Sequence, residues 1–128
     1  MVVKRKTYLI VSGPKEDPSR KHLFIICTNP CDHGNVVIVP VQSARGAHDQ
    51  TVELAPHEHS FIIRQSYAAY YEAKIIEVSK IEALVKNGQA SQHDDLNAQT
   101  FLRVRNGIER SDSTPPKILK YYTDNKGR

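Results

Sequence analysis

Only two cysteines, Cys27 and Cys31, occur in 128 residues. That is too few for a disulfide scaffold. No apolar run approaches the ~20 residues that span a bilayer. The apolar stretch after Lys6 is cut short by Ser12 and Gly13, earlier than a signal peptide's apolar region would end. The expectation is a cytoplasmic protein with no membrane partner. Gly-x-Ser-x-Gly and a Gly-rich phosphate loop are both missing, which sets aside the serine-hydrolase elbow and the P-loop. Repeats and low-complexity stretches are missing too. What is present is ordinary globular usage, 39% hydrophobic and 25% charged, over the length of one domain, 1–128.

Net charge is +4, and its distribution is uneven. Residues 1–22 carry six Lys/Arg against Glu16 and Asp17; residues 115–128 carry four against Asp124. If the two ends share one side, they form a basic face suited to a polyanion. The plainer reading is a pair of solubilising ends.

The first two-thirds reads as β-structure. Thr7-Tyr8-Leu9-Ile10-Val11, Leu23-Phe24-Ile25-Ile26-Cys27 and Val36-Val37-Ile38-Val39 are short continuous apolar runs bounded by Gly and Pro, the pattern of strands buried on both faces. Thr51-Val52-Glu53-Leu54, Ser60-Phe61-Ile62-Ile63 and Ala73-Lys74-Ile75-Ile76-Glu77-Val78 read as three more strands. Residues 12–21 read as a polar loop. The last third changes period. Ser79 with Glu82, and Ser91 with Asp94, have capping-box spacing. Ile81, Leu84 and Val85 then mark one helix, and Ala98, Phe101, Val104 and Ile108 a second, ended by Pro115-Pro116. Residues 111–128 are expected to be extended or a flexible tail. The expected class is α+β: a small barrel or rolled sheet with two C-terminal helices.

Cys27-x3-Cys31-Asp32-His33 and His57-x-His59 have spacing that zinc permits. A free Cys ending an apolar strand is more often a small core residue, so neither metal nor cofactor is expected. More telling are three strand ends that carry cations beside a hydroxyl, imidazole or amide: Arg20-Lys21-His22, Ser43-Ala44-Arg45 and Arg64-Gln65-Ser66-Tyr67. Brought together, they form a pocket for a phosphodiester, since an Arg fork grips phosphate oxygens and steadies charge developing in a transition state. Separately, each is a solvated rim.

The order of these segments resembles the PemK/MazF-like toxins of type II toxin–antitoxin systems. Residues 7–11 look like the family's first strand, residues 12–20 like its first loop, and residues 21–29 like its second strand. Val37-Ile38-Val39-Pro40-Val41-Gln42-Ser43 is similar to its "vivvPiTs" segment, and Phe61-Ile62-Ile63-Arg64-Gln65 falls where a later Arg-bearing segment lies. The resemblance implies an SH3-like barrel that dimerises and cleaves single-stranded RNA without a metal, by attack of the 2′-hydroxyl on the adjacent phosphate. It implies an antitoxin protein as partner. By position it assigns catalysis to Lys21, Ser43 and Arg64, with Gln65 at the place of an acid that some members carry although an amide is no base; His22 and His59, the histidines nearest the rims, are the candidates for proton transfer. RNA binding falls to Arg20, Arg45, Ser66 and Tyr67. Lys21-His22 stands where the family has Arg-Pro, and Gln65-Ser66 where some members place an acid. The rival expectation is a non-catalytic SH3-like module that binds nucleic acid or protein through the same basic face.

Overall fold

The computed structural model describes residues 1–13 and 15–128. The part of the expected first loop at Pro14 lies outside the described residues. Seven strands form one antiparallel sheet: β1 (Thr7–Val11), β2 (Lys21–Ile26), β3 (Asn35–Ser43), β4 (Glu53–Leu54), β5 (Ser66–Ala68), β6 (Lys74–Glu77) and β7 (Ala90–His93). Among the described residues three α-helices accompany it: α1 (Val78–Lys86), α2 (Ala98–Arg110) and α3 (Pro116–Asn125). The fold is α+β. The strand order is β4-β5-β3-β2-β1-β7, with β6 also on β3. Among the described residues the end strands β4 and β7 do not pair with each other, so the sheet stays open where the sequence suggested a small barrel or rolled sheet.

The continuous apolar runs are buried on both faces, as their composition demanded. Val36, Val37, Ile38 and Val39 are all 2% exposed or less. Alternate residues feed two cores. Leu23, Ile25, Val37, Val39 and Val41 pack with Phe101, Val104 and Ile108 of α2 and with Ile118 and Tyr122 of α3. Phe24, Ile26, Val36 and Ile38 pack with Tyr8, Ile10 and Ile81 of α1. One sheet face is thus covered by α2 and α3, and part of the other by α1. Burial of each such side chain contributes about 1.5–3 kcal/mol. Pro40 falls in the gap of β3 where one neighbour gives way to another: β6 pairs up to Ile38 and β5 begins at Val41. A residue without an N–H fits where no ladder donor is called for.

Several expected elements differ. Phe61-Ile62-Ile63 is not a strand. Ile62 N–H closes a turn onto His59 O at 3.0 Å, and only Ile62 of the three is buried. The fifth strand lies instead at Ser66–Ala68. Ser79 does not cap α1, which begins one residue earlier with Glu77 at its N-cap. Ser91 sits within β7, a strand the sequence reading did not foresee, and α2 is capped by Asn97, whose side chain accepts from Thr100 N–H at 2.8 Å. The expected extended or flexible tail is mostly helix. Pro116 opens α3 rather than blocking it, because the first turn of a helix needs no proline N–H.

Candidate functional site

The part of the second sheet face that α1 leaves uncovered is a groove of about 1280 Å³. Its floor comes from residues paired across strands, Phe24 with Pro40 and Gln42 with Tyr67. Strand register explains why distant segments meet here. Leu23 faces Val41, so the same register carried two residues on brings Lys21 level with Ser43, which itself pairs with Ser66. Ala44 N–H donates to Gln65 O at 3.0 Å, tying the Ser43–Arg45 and Arg64–Ser66 rims together.

All three cationic strand ends read from the sequence line this one groove. Lys21, His22, Ser43 and Arg64 are there, as are Arg20, Arg45, Ser66 and Tyr67. Gln65 contributes its backbone to the rim and is not among the lining residues. His59 is buried behind the wall, 5% exposed, bonded to Thr7 and Asp94. The lining holds five Lys/Arg, with Lys74 the fifth, against one carboxylate, Glu72. Among the described residues none of these five cations forms an ion pair. Three of the four C-terminal cations behave differently: Lys120 pairs with Asp124, Lys126 with Glu109 and Arg128 with Asp32. Moreover, α3 packs on the opposite sheet face, so the two basic ends do not form the single basic face considered above.

His22 has the geometry of a base. Ser12 Oγ donates its proton to Ile10 O (3.1 Å) and lies 2.8 Å from His22 Nδ1. With the hydroxyl proton committed, Nδ1 carries the hydrogen that joins the pair, and Nε2 keeps a lone pair. Among the described residues no hydrogen bond engages Nε2. Burial first, then the neighbouring Arg20, hold the imidazole below its ordinary pKa, with Glu72 pulling the other way. The ring is therefore neutral at neutral pH.

Sequence reasoning missed Glu72, Gln42 and His93. Gln42 Nε2 donates to Glu72 Oε2 at 2.8 Å, and Tyr67 OH donates to Gln42 Oε1 at 3.0 Å. The amide is thus held in one orientation and steadies the groove's carboxylate. The alternation of Pro40 and Gln42 on β3 was the available signal; Glu72 and His93 arrive from far along the chain and gave none. Phe61, Ile63 and Tyr71 leave apolar surface exposed on the walls. Cys27 is fully buried and free, its thiol pushed up to about 12 by burial. Among the described residues no three His, Cys, Asp or Glu side chains gather as a metal-binding group.

Neither the profiles of known protein families nor the curated proteins give a match to this chain. Among the described residues no helix is long and apolar enough to cross a membrane.

Proposed function

We propose that this protein is a metal-independent endoribonuclease of the PemK/MazF-like toxin kind, its open sheet a variant of the SH3-like barrel. One observation carries this reading: unpaired cations from three separate segments converge around a neutral histidine whose Nε2 is free. Single-stranded RNA is the substrate. Arg20, Arg45 and Arg64 hold phosphate oxygens, and Phe61 and Tyr71 offer faces on which unstacked bases rest. His22 Nε2 takes the 2′-hydroxyl proton as the 2′-oxygen bonds to phosphorus. The bond from phosphorus to the 5′-oxygen breaks, and that oxygen takes a proton from the Lys21 ammonium. Arg64 and Lys21 steady the added negative charge, while Ser43 orients the phosphate. The products are a cyclic phosphate and a free 5′-hydroxyl end. The functional unit is a homodimer, held in check by an antitoxin protein that covers the groove.

Expression of the wild-type protein alone arrests growth, and Arg64→Ala restores it while leaving the circular dichroism spectrum unchanged. Normal growth of cells making soluble wild-type protein contradicts the proposal. A groove that binds without cutting is favoured by the exposed apolar walls alone. That alternative predicts salt-sensitive RNA binding with no cleavage products.

A further inference from the structure

His59 lies outside the groove, yet its hydrogen bonds hold one wall of it. Residues 60–63 and Arg64 line the groove, and the backbone of this wall is anchored where Phe61 N–H donates to His59 Nδ1 at 3.0 Å. On the other side of the ring, Nε2 is 2.8 Å from Asp94 O and 3.2 Å from Thr7 Oγ1. Thr7 Oγ1 gives its own proton to Asp94 O at 2.6 Å. Both neighbours of Nε2 therefore act as acceptors toward it, so Nε2 carries the hydrogen and Nδ1 does not. The tautomer is fixed by its partners, and both ring nitrogens are used.

We infer that His59 is a positioning residue that latches the groove wall at 61–64 only while its imidazole is neutral. A proton on Nδ1 sets N–H against the Phe61 N–H, donor against donor. The anchoring bond is then lost and a buried charge is created. Charged groups face the ring from three sides. From β7 the His93 ring lies tilted against it, centroids 5.0 Å apart, and a charge there disfavours the charged His59 ring. From the segment after β7 the Asp94 carboxylate, held by Ser60 Oγ, favours the charged ring. Lys6, beside Thr7, is paired with Asp95, and Glu58, beside His59, is engaged by Arg103 and Thr100. Burial outweighs the rest and lowers the pKa from 6.5, despite the bond to Asp94 O. The latch therefore holds at neutral pH and opens on acidification.

This regulation assumes that the groove is the functional site, so its test reads the wall directly, with no RNA present. The full-length protein, labelled with nitrogen-15, is titrated by NMR from about pH 7.5 to 5, the range of histidine switching. The Phe61 and Arg64 amides should shift with the same midpoint as the His59 ring nitrogens, below 6.5, the ordinary value. Across that step the Phe61 protection factor should fall by about tenfold or more. In His59→Asn the step should vanish, because Asn Oδ1 accepts Phe61 N–H in an Asx turn and does not titrate. His93→Asn should keep it. A Phe61 amide that stays flat while His59 titrates overturns the inference. So does a step that survives in His59→Asn, or a His59 ring that stays neutral until the whole protein unfolds. If His59→Asn does not fold, coincidence of the midpoints in wild type and His93→Asn decides: matching midpoints support the latch, separate ones overturn it.

Discussion

His22 works as a base only if it stays neutral, and two neighbours set that balance in opposite senses. After burial, Arg20 lowers its pKa, and Glu72 raises it. A lowered value places the acid limb of a pH–rate profile below 6.5. Arg20→Gln should move that limb upward, and Glu72→Gln should move it down; initial rates of RNA cleavage across pH read both. His22→Ala should cost about 10²–10⁴ in rate, the usual yield of a positioned base. The cationic segments were legible at this scale: Lys21, His22, Ser43 and Arg64 line one groove, although Arg64 precedes β5 and does not follow the strand expected at 60–63. Glu72 was not legible. It ends the short helical turn Tyr70–Glu72, and only the pairing of β3 with β5 and β6 brings that turn over the groove.

Two close approaches between elements require glycine. Gly107 in α2 lies against the buried Tyr70, so an added Cβ would meet Tyr70 OH at 2.0 Å and Val52 Cγ2 at 2.8 Å. Tyr70 OH also donates to Val104 O at 2.7 Å. Gly107→Ala should therefore destabilise the protein by about 1–3 kcal/mol, although alanine is the better helix former. Thermal or urea unfolding measures it. Gly13 is pressed against the Asp17 carbonyl, at 1.8 Å from a built Cβ, and against Arg20 Cβ. Gly13→Ala should push Arg20 off its rim and weaken RNA binding more than stability.

The element reading succeeded where burial was two-sided or strictly helical, as in β2, β3 and α2. It failed where polar residues are recruited by pairing. Ser91 and Gln92 form a strand because β1 offers an edge, at Leu9 and Tyr8. It also failed at Phe61, where one buried side chain, Ile62, and a turn through His59 override a strand-like run. In α3 the spacing of Ile118 and Tyr122 was present in the sequence, but the proline pair masked it.

At the scale of the whole molecule, α2 and α3 close one sheet face, and α1 closes half of the other. The rest of that face holds the groove, whose five Lys/Arg form no ion pair among the described residues. Single-stranded RNA binding that engages the five groove cations should give log K a slope of about −3.5 against log salt. Arg64→Ala should reduce the slope by about 0.7, whereas Lys120→Ala on α3 should leave it unchanged.

Stability should also fall with acid, in two stages. His59 is neutral in the fold and has a lowered pKa, so its contribution is complete above 6.5 and is lost as pH drops toward the folded value. At Glu58 and Asp49 burial alone would raise the carboxyl pKa. Hydrogen bonds outweigh it, from Ala55, Thr100 and Arg103 at Glu58, and from Ser111 and Thr51 at Asp49. Both carboxyls end below their usual values, so their stabilisation is lost at still lower pH. Urea midpoints measured across pH should show both declines.

The most direct measurement is incubation of the purified protein with end-labelled single-stranded RNA in excess chelator. The proposed chemistry predicts discrete cuts that leave cyclic-phosphate and 5′-hydroxyl ends, slowed about 10²-fold or more by Arg64→Ala. RNA that is bound but left intact by the wild-type protein contradicts it.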